Sequence, residues 1–183
     1  YDVSPDENGF FRESDGYTAG VGASWDMTGL LTGDVSLNWY EQNYDDPRLL
    51  GVDGWGVGAG LTWTPRPTST VAVRFAGRPQ ETNQPGISGF FGQLYSVRWQ
   101  EDLRENLLFQ LRGSLTLNDY ENPGFDEDEL SNTRIYRGDI GLTYLFGRNF
   151  GVTAGYTYEQ QTSNLANLEY RSNRYFVTLG VEL

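Results

Sequence analysis

Asn173-Arg-Tyr-Phe-Val-Thr-Leu-Gly-Val-Glu-Leu183 decides how this chain is read. Tyr175, Val177, Leu179, Val181 and Leu183 occupy alternate positions. Arg174, Thr178, Gly180 and Glu182 fill the places between, with Phe176 as the exception. Alternation with period two marks a β-strand whose two faces meet different surroundings. Eight earlier stretches repeat the pattern, so strands are predicted at 16–25, 33–44, 54–64, 70–80, 89–100, 107–120, 133–146, 150–161 and 173–183. One stretch admits a second reading. Glu101–Arg112 places Leu103, Leu107, Leu108 and Leu111 near helical spacing. However, Phe109, Leu111, Leu115 and Leu117 continue a longer period-two stripe, which favours a strand.

Composition narrows the function classes. The 183 residues are enough for a single domain over 1–183. Thirteen arginines and no lysine face 25 acidic residues, for a net charge of -12, which argues against nucleic acid as a partner. Without cysteine there is no disulfide framework, and without histidine the usual general base and metal ligand are missing. No apolar run reaches the length of a transmembrane helix. Tyr1–Ser14 is polar and acidic and carries no signal-peptide pattern, so the sequence reads as a mature form or a fragment.

The next question is which face meets oil. The apolar stripes are Tyr17, Ala19, Val21, Ala23, Trp25; Val35, Leu37, Trp39; Trp55, Val57, Ala59, Leu61, Trp63; Val71, Val73, Phe75; Tyr136, Gly138, Ile140, Leu142, Tyr144, Phe146; and Phe150, Val152, Ala154, Tyr156, Tyr158. The opposite faces carry Gly, Ser, Thr, Asn, Gln and a few Arg. A soluble barrel would turn its apolar face inward and a mixed-charge face outward. Here the aromatics gather at the ends of the stripes. Trp25, Trp63, Trp99 and Tyr144 adjoin short connections, Trp55 and Tyr158 adjoin long ones, and small aliphatics fill the middle. Two aromatic belts around an aliphatic band fit residues held at the two membrane–water interfaces. A five-position stripe spans about nine residues and rises roughly 20–25 Å when tilted, close to the apolar band of an outer membrane. Gln93, in the middle of an apolar face, does not fit.

The connections sort into two kinds. Short ones (26–32, 65–69, 101–106, 147–149) alternate with longer, more acidic or Pro/Gly-rich ones (45–53, 81–88, 121–132, 162–172). Outer-membrane barrels show this asymmetry, with short turns on the periplasmic side. The expected fold is therefore an all-β, antiparallel, up-and-down transmembrane barrel with about nine strands in this chain. Nine strands that begin on the outside do not close a bacterial barrel by themselves. Further strands are expected from an upstream segment or from other chains.

The last strand also resembles the C-terminal signal read by the outer-membrane assembly machinery. Tyr175, Val177, Leu179, Val181 and Leu183 supply its alternate apolar positions, although Leu183 stands where an aromatic residue is preferred. Three further features widen the resemblance: Ser14-Asp-Gly-Tyr-Thr-Ala-Gly-Val-Gly22, the Tyr44-Asp-Asp-Pro-Arg48 loop, and the repeated Gly141-Leu-Thr-Tyr144 and Gly155-Tyr-Thr-Tyr158. With these the chain resembles the C-terminal portion of the outer-membrane family called putative beta-barrel porin type two, over nearly its whole length. The resemblance implies a porin-like role in a Gram-negative outer membrane, beside exopolysaccharide or capsule export in some members. It offers no catalytic residues and no cofactor.

Candidate chemistry lies on the polar faces. Arg74, Arg78, Arg98, Arg112 and Arg137 are expected to line the pore, with Asp139 and Glu159 as counter-charges. A row of guanidinium groups favours anions in transit, unless the carboxylates neutralise it. The long loops carry Asp45, Asp46 and Asp126-Glu-Asp-Glu129, which are solvated or bridge divalent cations to lipopolysaccharide. The run is not an EF-hand, because no Gly follows at the required place, and no resident metal is expected. Histidine-dependent hydrolysis is excluded, and no two carboxylates form a dedicated hydrolytic pair. Three functions follow: a pore for polar or anionic solutes or an exported polysaccharide; a scaffold barrel with a plugged lumen and partner-binding acidic loops; and, as the outlier, a soluble all-β binding module.

Overall fold

A computed structural model of the chain describes residues 13–46, 51–82, 89–120, 130–147 and 149–181. Nine strands follow one another: β1 (Ser14–Thr28), β2 (Leu31–Tyr44), β3 (Val52–Arg66), β4 (Ser69–Glu81), β5 (Gly89–Arg104), β6 (Leu107–Tyr120), β7 (Asn132–Leu145), β8 (Phe150–Ser163) and β9 (Tyr170–Val181). Each pairs antiparallel with the next, in a single sheet ordered β1 to β9. A short 3-10 turn, Ala166–Leu168, sits between β8 and β9. The architecture is all-β and up-and-down. β1 and β9 are the two edges of the sheet and do not pair with each other.

All nine predicted strands form, and most run further than alternation indicates. β5 reaches Arg104 instead of Gln100, and β9 starts at Tyr170 instead of Asn173. Ladder bonds join backbones, so they continue through residues whose side chains break the pattern. β7 stops at Leu145, one residue early. Phe146 leaves the ladder, and its N–H donates to the Phe150 carbonyl at 2.9 Å. Glu101–Arg112 is extended, as favoured over the helical alternative, and forms a hairpin in which Arg104 faces Leu107 across Glu105-Asn106. Gly29-Leu30 and Pro67-Thr68 make equally short turns at the same end. Each of these three hairpins carries a register shift just before its turn. Such bulges adjust strand twist to tight loops. The fourth turn at this end bends at Gly147, whose φ of 80° suits glycine. The strand ends that the long connections join all lie at the opposite end.

Register carries the stripes across the whole sheet, because residues directly opposite in an antiparallel pair share a face. Ala23–Val35–Ala59–Phe75–Tyr95–Leu115–Tyr136 is one continuous line. Val71–Trp99–Leu111–Ile140–Tyr156–Tyr175 is another. Among the described residues no second layer covers this face. Among the described residues Leu130 is the only buried hydrophobic, whereas Val21, Tyr175 and Val177 stand 75%, 80% and 76% exposed. A water-soluble sandwich needs an apolar layer opposite such a face, and the described residues supply none.

The two misfits in the pattern have local explanations. Gln93 faces outward, where its side-chain oxygen accepts the Tyr95 hydroxyl at 2.9 Å, so its polarity is partly satisfied. Phe176 turns to the polar face opposite Gly155, and its ring lies where a Gly155 side chain would be. An aromatic ring covering a cross-strand glycine is a recognised way to stabilise a sheet.

Asp126–Glu129, Leu183 and residues 1–12 lie outside the described residues, as do Pro47 and Arg48 of the Tyr44–Arg48 loop.

Candidate functional site

The polar face is organised by two neighbouring rows. One runs Thr62–Ala72–Arg98–Arg112–Asp139–Thr157–Arg174 across β3 to β9. The other, two residues nearer the long loops on β4, runs Gly60–Arg74–Ser96–Ser114–Arg137–Glu159–Ser172. Arg74, Arg98, Arg112, Arg137 and Asp139 line one hollow of about 550 Å3 with Ser96 and Ser114.

These arginines are not equivalent. Arg137 is held at both ends of its guanidinium: Nε donates to Asp139 at 3.3 Å and Nη1 to Glu159 at 3.2 Å. Both carboxylates are further satisfied. Asp139 accepts the Thr157 hydroxyl at 2.7 Å, and Glu159 accepts the Tyr170 hydroxyl at 2.7 Å. This sector is a closed network in which the sequence-expected counter-charges are used up. Arg112 stands directly opposite Asp139, yet its Nη2 donates to the neutral Gln110 side chain at 3.3 Å. Arg74 and Arg98 make no hydrogen bond or ion pair with a described residue. Arg98 lies directly opposite Arg112. A like-charge cross-strand pair costs about 0.2–1 kcal/mol relative to a neutral one. Three guanidinium groups therefore converge on a hollow whose nearest carboxylate is already engaged.

Arg78 does not join them. It shares their face but sits further toward the long loops, opposite Gly92, in a separate hollow with Tyr40, Gln80 and Glu81. Conversely, sequence grouping left out Arg174, which ends the first row opposite Thr157. Its parity in the last strand was the available signal.

On the other half of the face, β3 presents glycines beneath the polar side chains of β2. A Cβ on Gly58 would come within 2.6 Å of the Ser36 hydroxyl, and one on Gly60 within 2.5 Å of an Asp34 oxygen. Side chains of β2 lie flat over these glycines, so this wall stays thin while the β4–β7 wall bristles with arginine.

The expected interface aromatics all face the apolar side. Trp55 stands 57% exposed, Trp63 49% and Tyr144 49%. Trp25 lies over Gly33, and Trp39 meets Trp55 edge-on with centroids 5.3 Å apart. Trp99 donates toward Ser69 and Glu101 at 3.3 Å, which tethers its ring at the short-turn end. Tyr158 donates to Gln160 at 2.7 Å at the other end. Tyr175, Val177, Leu179 and Val181 form the exposed apolar face of β9.

Comparison with curated proteins finds no match. Comparison with protein families does: over residues 1–183 the chain matches the family described as Putative beta-barrel porin 2, and it therefore belongs to that family of porin-type β-barrels.

Proposed function

We propose that the chain forms part of the wall of a porin-type barrel in the outer membrane of a Gram-negative bacterium, and that its lumen favours small anionic solutes. Family membership supports the barrel and a non-catalytic role. The apolar face, with aromatics at both ends, faces lipid. The polar face lines the lumen, and the Arg98–Arg112 opposition beside Arg74 is the observation that carries anion preference. A wall that only needed stability would pair these charges, as Arg137 is paired. Unpaired guanidinium groups at a water-filled surface attract passing anions without holding them, as conduction requires.

The edges of β1 and β9 are covered by further strands, from an upstream segment of the same polypeptide or from another copy. Open edges in lipid cost several kcal/mol per unpaired backbone group. The assembly machinery would read the alternating face of β9, and the bilayer and lipopolysaccharide would surround the barrel. An exported acidic polysaccharide would meet the same arginines as a small anion. The scaffold reading rests on the acidic loops, whereas the unneutralised arginines favour passage.

The test is a planar-bilayer recording of the full-length protein under a salt gradient. The reversal potential should report anion preference. No conductance would refute a pore, and cation preference would refute the role of the arginines.

A further inference from the structure

The outward rim at the long-loop end is divided by charge. On β1–β6 its outward side chains include Asp15, Glu41, Asp53, Glu81 and Asp119. On β7–β9 they include Arg134 and Arg171, with Gln160 and Asn173. Register fixes the orientation: Arg134 lies opposite Leu117 and Thr162, and Arg171 lies opposite Gln160, all on the apolar side of the sheet. Arg134, Gln160 and Arg171 stand 11, 10 and 10 residues from Leu145, Phe150 and Val181, at the short-turn ends of their strands. At about 3.3 Å per residue and a tilt near 40°, that is roughly 25–28 Å, the far edge of a bilayer's apolar band. Just inside them lie Tyr136 and Tyr158, at the depth of an aromatic belt.

We infer that Arg134 and Arg171 form a docking site for the phosphate of an anionic lipid headgroup on the outer surface of the wall. The inference rests on the lipid-facing part of the proposed function, not on conduction. Both arginines are exposed, and neither side chain has a hydrogen bond or ion pair with a described residue. Glu169, two residues before Arg171, is turned to the Ser163 backbone N–H at 3.5 Å, and Asp119, opposite Asn132 on the strand beside Arg134, marks the near edge of the acidic rim. With one strand between them and an offset of two residues, the two Cα atoms are about 12 Å apart. Two long side chains can close that gap on one headgroup, and a guanidinium suits phosphate oxygens geometrically. The neighbouring amides are arranged to donate. Tyr158 occupies the Gln160 oxygen and Tyr156 the Asn173 oxygen, each at 2.7 Å, which leaves the amide N–H groups available. The acidic rim elsewhere repels phosphate, so charge complementarity confines a lipid phosphate to the β7–β9 sector.

The test uses the full-length protein in a neutral detergent, with lipid binding read by native mass spectrometry. Phosphatidic acid should bind in preference to phosphatidylcholine, and added salt should weaken it. At about fivefold per surface arginine, Arg134→Gln with Arg171→Gln should weaken phosphatidic acid binding roughly 20- to 30-fold. Arg134→Lys with Arg171→Lys should keep most of the binding, and Arg104→Gln, at the other end of the wall, all of it. Equal binding of both lipids overturns the inference, as does an unchanged preference in the Gln variant. Displacement by millimolar inorganic phosphate also overturns it, by revealing a site for soluble anions. The Gln variant should conduct like the wild type in bilayers. Lost lipid preference with retained conductance therefore separates this site from the lumen.

Discussion

Replacing Arg98 and Arg112 with Gln should change selectivity and stability in opposite directions. The two side chains face each other across β5 and β6 in the hollow they share with Arg74. For an anion passing about 6 Å from one guanidinium in water, Coulomb attraction is roughly 0.7 kcal/mol, a factor of about 3 in local population. Removing both charges should lower the local anion population about tenfold and the anion-to-cation permeability ratio by at least about as much. Raising the salt from about 0.1 M to 1 M should shrink that difference, because the screening length falls from about 10 Å to 3 Å. Folding should respond the other way. Relief of the like-charge opposition stabilises the wall by about 0.2–1 kcal/mol. Reversal potentials in planar bilayers give the first quantity. Urea unfolding in lipid vesicles, followed by tryptophan fluorescence, gives the second. An unchanged permeability ratio would mean that these arginines do not face the conducting path. A stability loss above about 1 kcal/mol would mean that they are held in structural pairs.

Arg137→Gln should behave differently, because it strips two carboxylates of their partner. Both contacts are partly exposed, so the expected cost is about 0.5–2 kcal/mol in the same unfolding assay. Val97→Arg on the apolar face should cost about 2–4 kcal/mol, while Ser96→Arg, opposite Arg74 on the other face of the same strand, should cost no more than about 1 kcal/mol; equal effects would contradict the assignment of faces. Gly155→Val must displace the Phe176 ring, and overpacking of this kind costs about 1–3 kcal/mol. Gly138→Ala, with nothing within 4 Å of the new methyl group, should be near neutral, and the pair can be compared by midpoint of urea unfolding.

Much of this fold is legible in one dimension because a strand's geometry is local. Successive side chains point to opposite faces whatever the neighbouring strand does, so Tyr175 through Val181 already define an oily side. The sorting of loops and the aromatic ends of the stripes are likewise visible without coordinates. From them came the strand count, the up-and-down order and the division into apolar and polar faces. Phe176 and Gln93 resisted the pattern because their reasons lie on other residues: a glycine on the next strand for one, a tyrosine hydroxyl for the other.

Register could not be read in this way, and the candidate site depends on it. Nothing in the spacing of Arg98 and Arg112 along the chain says that they stand opposite each other. That follows from a two-residue turn and a bulge between Asp102 and Arg104, which together set where the ladder begins. A slip of two residues would preserve every face and bring different charges together. The same alignment ties Arg137 to Glu159, leaves Arg98 without a carboxylate, moves Arg78 into a separate hollow and brings Arg174 into the row. The sequence by itself determined the strands and the division of each into an apolar and a polar face, because period two is a property of a single strand. Only the tertiary structure decided which charges are neutralised and which stay free, because pairing depends on strands aligned across the sheet.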